Sequence, residues 1–184
     1  MIFQDINPIV EDNQVVQAAR KDPRAFGELY NRYVERVYKY LYSRLGNTPD
    51  AEDLTSQTFL AAFEAFERFT KDGCFAAWLF TIARNKTTDF YRRKRTVPLS
   101  NQIPEIQDLV DPLNNIIQTE QSDVLRKLIL GLDEDEQELL RLRFLAGLSY
   151  PEMASLLDRK EDAVKKTLYR LLERLHNQME VSNE

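Results

Sequence analysis

The 184-residue chain has a single cysteine, Cys74, and a single histidine, His176. One thiol excludes an internal disulfide and any thiolate-bound metal cluster. One imidazole near the C-terminus removes most zinc sites and the Ser-His-Asp or Cys-His sets of nucleophilic catalysis. Glycine is scarce, at 5 residues, and no glycine-rich loop is placed to cradle a phosphate. Long apolar runs are missing too. The longest, Cys74 to Ala83, is about half of the roughly 20 residues a membrane span requires. The first basic residue is Arg20, preceded by Asp5, Glu11 and Asp12, the reverse of a signal peptide's charged start. These absences predict a protein of the reducing cytoplasm, with no cofactor, no metal and no catalytic residues.

What is present is charge, aromatics and helical periodicity. The formal net charge is −5, which taken whole opposes nucleic-acid coating, yet its distribution is uneven. From Arg84 to Arg95 six basic residues (Arg84, Lys86, Arg92, Arg93, Lys94, Arg95) face one acid, Asp89. From Thr96 to Val124 there is no Lys or Arg, but there are five acids, Glu105, Asp108, Asp111, Glu120 and Asp123. A basic stripe beside an acidic connector points to a local polyanion site on a chain that avoids general adhesion to DNA.

Phe26, Leu29, Tyr30, Tyr33, Val34, Val37, Leu41 and Leu45 recur at three/four spacing, which predicts a helix stopped by Gly46. Thr48-Pro49-Asp50 restarts a helix that carries Phe59, Ala62, Phe63, Phe66 and Phe69. After a break at Lys71-Asp72-Gly73, a third helix bears Phe75, Trp78, Leu79, Ile82 and Ala83, and a short helix is expected upstream at Gln14–Arg20. Of 19 aromatic residues only Phe3, Phe144, Tyr150 and Tyr169 fall outside Phe26–Tyr91. The two halves therefore have different cores, one aromatic and one built on leucine. Between them, Val97 to Gln118 holds Pro98, Pro104 and Pro112 and lacks a helical period, which marks a linker. Beyond it, Val124, Leu125, Leu128, Ile129 and Leu132 form a stripe, and Asp133 with Glu136 opens a helix through Leu142 that Gly147 ends.

Ser149 to Leu175 reads as a capped short helix, a turn at Asp158-Arg159-Lys160 and a longer amphipathic helix. That is the plan of a helix-turn-helix, whose second helix enters the DNA major groove; Lys165, Lys166, Arg170 and Arg174 lie on its exposed face. A plain pair of packed helices with solvated lysines has the same local pattern. Glu161 and Asp162 favour the second helix's dipole but repel approaching phosphates. The Arg92–Arg95 stripe likewise has two readings, a helix C-terminus stabilised by cations or a backbone-binding edge beside aromatics that stack unpaired bases. The acids of Asp133–Glu138 are better explained by helix capping than by a metal.

Taken in order, these stretches resemble the extracytoplasmic-function group of sigma factors, within the sigma-70 family. Ala25-Phe26-Gly27-Glu28-Leu29-Tyr30 is similar to the opening of the family's second region. Asp50-Ala51-Glu52-Asp53-Leu54 through Thr58-Phe59-Leu60 is similar to the segment that docks on the polymerase clamp. Ala77-Trp78-Leu79 with Ile82-Ala83-Arg84-Asn85 and Asp89 resembles the helix that melts and reads the minus-ten element. Leu148 to Ala154 resembles the first helix of the fourth region, which reads the minus-thirty-five element. The resemblance implies core RNA polymerase, through its clamp and flap, and promoter DNA as partners, with an anti-sigma protein as a further candidate. It implies Asp53, Leu54 and Gln57 for polymerase binding, and Trp78, Arg84, Asn85, Lys86, Asp89, Arg92 and Arg93 for the minus-ten region. Lys71, Asp72, Gly73, Cys74 and Phe75 become the loop that captures a flipped base, and Lys165, Lys166, Arg170 and Arg174 meet the upstream duplex. The acidic linker is expected to mimic nucleic acid in polymerase channels. Three positions depart from the family pattern: Gln57 where an acid is frequent, Lys160-Glu161-Asp162 where a small neutral start is usual, and Thr167 where Arg is common.

The expected fold is all-α: two small helical domains, residues 12–95 and 120–178, joined by a flexible linker, 96–119. The second is a four-helix, helix-turn-helix unit, winged-helix-like without a wing. The expected function is transcription initiation without enzymatic activity. Two rivals remain at this point. One is an autonomous helix-turn-helix regulator, which requires neither the aromatic domain nor the acidic linker; the other is an enzyme using the first domain's carboxylates.

Overall fold

A computed structural model describes residues 8–69, 74–96 and 120–182. The linker expected at 97–118 and the break at Lys71-Asp72-Gly73 lie outside these. The chain divides into two compact units, Met1–Asn101 and Gln102–Glu184, and among the described residues all regular structure is helical.

The first unit contains α1 (Pro8–Lys21), α2 (Phe26–Leu45), α3 (Thr48–Ala65) and α4 (Phe75–Thr96), with α2 packed against α3 and α4. Local chemistry sets the ends. Gly46 closes α2 in the left-handed conformation, φ 72°, where a side chain would be strained. Asn47 caps α3 by accepting a hydrogen bond from the Asp50 amide at 2.9 Å, and Pro49 in the first turn needs no backbone donor. The core is aromatic, as the sequence predicts. Phe26 meets Phe66 edge-on at 5.2 Å, Tyr33 meets Phe75 at 5.4 Å, and Tyr40 meets Phe80 at 5.5 Å. Each such pair contributes about 0.5–1.5 kcal/mol beyond its area burial.

Helix α1 begins six residues before the periodicity indicates. Its earlier turns are held by a long-range polar contact: the Tyr33 hydroxyl donates to Asp12, and Arg32 donates to the same carboxylate at 3.4 Å. A buried carboxylate needs such donors, and they come from a different helix.

The second unit contains α5 (Glu120–Leu130), α6 (Glu134–Leu140), α7 (Tyr150–Leu157) and α8 (Glu161–Ser182). Its core is Leu139, Leu142, Leu148, Met153, Val164, Leu168, Leu171 and Leu175. The sequence predicts one helix running past Leu142, but after Leu140 the chain widens into a π-turn, Arg141–Leu145, in which the Ala146 amide donates to the Arg141 carbonyl at 2.8 Å. The extra residue re-phases the chain so that Leu142, Ala146 and Leu148 are all buried while Phe144 is exposed.

Candidate polymerase and nucleic-acid interfaces

On α3, successive residues turn by about 100°, so Asp53, Gln57, Leu60 and Glu64 share one face. The burial pattern agrees: Glu52, Asp53, Ser56 and Leu60 are exposed, while Ala51, Leu54, Thr55 and Thr58 are buried. Gln57 donates to Asp53 at 2.8 Å. Leu54 is 4% exposed and belongs to the core, so its side chain cannot meet a partner; this corrects the residue chosen from the sequence. The apolar side chains presented instead are Leu60, 59% exposed, and Phe63, 49% exposed. The phase from Asp53 to Leu60, two helical turns, is the signal that identifies Leu60 in the sequence. Asp50 is committed elsewhere, to Asn47 and to Lys94.

On α4, Trp78, Asn85, Asp89 and Arg92 recur at helical spacing and form one stripe. Lys86 and Arg93 lie on one shoulder and Arg84 on the other, so the structure groups six of these seven residues more closely than the seventh. Thr87 and Ala83 face the core. Arg92 pairs with Asp89 at 2.9 Å. The basic stripe divides beyond this point. Lys94 lies 4.6 Å from the Phe90 ring centre and 3.4 Å from Asp50, and the Tyr91 hydroxyl donates to the Arg44 carbonyl at 2.5 Å. Lys94 thus braces α4 against the α2–α3 turn rather than offering a free cation.

Of the proposed capture loop, Lys71, Asp72 and Gly73 lie outside the described residues. Cys74 is half-buried, and its carbonyl accepts from the Trp78 amide at 3.1 Å. Phe75 is 3% exposed and packs against Phe26, Tyr33 and Phe66. Its ring is core, which leaves it a supporting role at the start of α4. Trp78 is half-buried, 4.9 Å from Phe69 in a tilted stack.

The α7–α8 pair has helix-turn-helix chemistry throughout. Ser149 and Glu152 form a reciprocal capping box, the Ser149 amide donating to Glu152 at 2.6 Å and the Glu152 amide to Ser149 at 3.4 Å. Asp158 ends α7 in the left-handed region, φ 51° and ψ 47°, a conformation Asp tolerates better than most residues. The box at Asp133 is half-made. Asp133 accepts from the Glu136 amide at 2.8 Å, while the Glu136 carboxylate turns to Arg174 at 2.6 Å.

The four cations of α8 therefore differ. Arg174 braces α8 to α6. Lys165 pairs with Glu161 at 3.2 Å and sits 5.3 Å from the Tyr150 ring centre. The hydrogen bond and charge of Glu161 raise the Lys165 ammonium above the usual lysine value. Partial burial, then the neighbouring Tyr169 hydroxyl, push the Tyr150 phenol up. Lys166 and Arg170 are exposed. Between them stands Tyr169, 61% exposed, an aromatic that the leucine periodicity does not single out. Its only sequence signal is that it falls off the Leu168–Leu171–Leu175 stripe.

Among the described residues no group of His, Cys, Asp and Glu side chains could hold a metal ion, and no helix is long and apolar enough to cross a membrane.

Comparison with known proteins places both units. Residues 29–97 match Sigma-70 region 2, and residues 122–175 match Sigma-70, region 4. The chain is 36% identical over 165 residues to the ECF RNA polymerase sigma factor BldN of Streptomyces coelicolor, covering 88% of this chain and 62% of that one. Against the ECF RNA polymerase sigma factor SigW of Bacillus subtilis it is 27% identical, covering 90% of this chain and 95% of the relative. A solved structure of CnrH in complex with the cytosolic domain of CnrY superposes with a TM-score of 0.65 at 25% identity, covering 92% of this chain and 97% of that one. With both regions matched in order on the two helical units, the chain belongs to the extracytoplasmic-function group of the sigma-70 family, whose members are non-enzymatic transcription initiation factors.

Proposed function

We propose that this chain binds core RNA polymerase in the cytoplasm, brings it to a promoter and opens the minus-ten region. The observation that carries this reading is the pairing of the two region matches with two separate sets of exposed side chains. Residues 12–95 form the polymerase- and minus-ten-binding module, residues 96–119 the acidic linker, and residues 120–178 the upstream-duplex module. Asp53, Gln57 and Leu60 meet the clamp. An apolar side chain between polar neighbours supplies the desolvated centre that protein interfaces need. Trp78, Asn85, Asp89 and Arg92, with Arg84, Lys86 and Arg93 beside them, handle the minus-ten strand, cations on the backbone and the ring against an unpaired base. Lys71 to Cys74 form the base-capturing loop, supported by Phe75. Lys166 and Arg170 lead the contact with the upstream duplex, flanked by Lys165 and Arg174. An anti-sigma protein is the third partner, in keeping with a similar structure in which CnrH is in complex with the cytosolic domain of CnrY.

Run-off transcription tests the function. Purified chain added to core polymerase on a library of upstream fragments is expected to give discrete starts that are missing with core alone. Sequence-specific binding by the isolated chain with no core-dependent transcript would favour an autonomous regulator instead.

A further inference from the structure

The rings beside the minus-ten stripe are held from a helix that the sequence gives no functional part. Arg20, in the last turn of α1, donates from Nη2 to the carbonyl of Phe69, 49 residues away. Its guanidinium lies 5.9 Å from the centre of the Phe69 ring, and its Nε is buried without a hydrogen-bond partner. A cation serving only solubility keeps its head in water, so this one is committed to the protein. Phe69 follows the short 3₁₀ turn Phe66–Arg68, where a carbonyl at a helix end lacks an intrahelical donor. The Phe69 ring is buried, lies 4.9 Å from Trp78 in a tilted stack and meets Phe75 edge-on at 5.8 Å.

We infer that Arg20 is a positioning residue for promoter opening: by fixing the Phe69 carbonyl and ring it holds Trp78 in the orientation that receives an unpaired minus-ten base. The inference rests on the proposed role of Trp78. It assigns to α1 a part in melting that its own surface does not make. Arg20 touches no DNA in this scheme; it acts through Phe69, and the ordered ring has less freedom to lose when a base stacks on it.

Trp78 is the only tryptophan of the chain, so its fluorescence reports the ring pair directly. In the full-length protein, Arg20→Ala is expected to shift the Trp78 emission and raise its acrylamide quenching constant, with helicity and affinity for core polymerase unchanged. In the holoenzyme, permanganate reactivity of minus-ten thymines should fall by about tenfold or more, the loss expected when a hydrogen bond from a charged group is removed. Arg20→Lys keeps the charge and a donor and should restore most of both signals. If Arg20→Ala lowers helicity, Arg20→Met, which keeps the apolar stem but has no donor, gives the same comparison. Unchanged Trp78 emission and quenching in a folded variant with no side-chain donor at position 20 overturns the inference. A Trp78 shift with normal opening in both Arg20→Ala and Trp78→Ala leaves the ring pair positioned by Arg20 but overturns the minus-ten role assigned to Trp78.

Discussion

At the residue scale, two leucines six positions apart on α3 have opposite duties. Leu54 is buried between α3 and its neighbours, whereas Leu60 projects into solvent beside Asp53 and Gln57. Truncating Leu54 to Ala removes packed methyl groups and is expected to destabilise the protein by about 2–5 kcal/mol, seen as a lower midpoint in thermal or denaturant unfolding. Leu60→Asp leaves the core intact and is expected to change stability by less than about 0.5 kcal/mol. Placed at the centre of a docking face, the same carboxylate should weaken binding to core polymerase by at least about tenfold, corresponding to a hot-spot loss above 1 kcal/mol. Titration of labelled protein with core separates the two effects. Core affinity retained by Leu60→Asp would move the clamp contact off this face.

At the element scale, the helix-turn-helix depends on how α7 is started. The capping box satisfies two orphan backbone groups with one Ser149–Glu152 pair. Ser149→Ala is expected to cost about 1 kcal/mol. Calorimetry of the full chain should show this loss in the transition of the leucine-cored unit and leave the aromatic-cored unit unchanged, and a Ser149→Thr variant should recover most of it. This cap was legible in the sequence, as were the stop at Gly46, the turn at Asp158-Arg159-Lys160 and the contrast between aromatic and leucine cores. The cap, the stop and the turn are each written in residues within one turn of one another, and the contrast of cores in composition alone. The features that escaped are long-range. The first turns of α1 depend on Tyr33 reaching Asp12, the second half of the Asp133 box is given up to Arg174, and the π-turn at Arg141–Leu145 follows from burying Leu142, Ala146 and Leu148 together. Periodicity records which face of a helix is apolar but not which partner helix competes for a side chain. The candidate sites divide in the same way. The α4 stripe and the exposed cations of α8 follow from spacing, while the bracing of Lys94, Lys165 and Arg174 required the fold.

At the scale of the whole molecule, charge opposes what the local surfaces favour. The chain carries a net −5, with a basic surplus of five in Arg84–Arg95 and, from Thr96 to Val124, five acids and no Lys or Arg. Arg92 is engaged by Asp89, Lys94 and Lys165 by Asp50 and Glu161, and Arg174 by Glu136, so each must leave a carboxylate before it displaces counterions from a duplex. The isolated chain is therefore expected to bind promoter DNA weakly and with little preference for sequence. Adding core polymerase should yield a specific complex whose affinity falls steeply with salt, because each phosphate neutralised contributes about 0.9 to the slope of log K against log salt concentration. Within that complex the exposed pair Lys166 and Arg170 should carry more of the upstream contact than Lys165 and Arg174. Replacing Lys166 and Arg170 with Ala is expected to lower the slope by up to about two, and the pair Lys165 and Arg174 by less, since each must first leave an intramolecular carboxylate. Binding isotherms at four or five salt concentrations, on one promoter and with core in excess, give both slopes. Equal losses from the two pairs would mean that the ion pairs to Glu161 and Glu136 open on the DNA. Tight, sequence-specific binding by the chain alone would show that its overall charge does not restrain it.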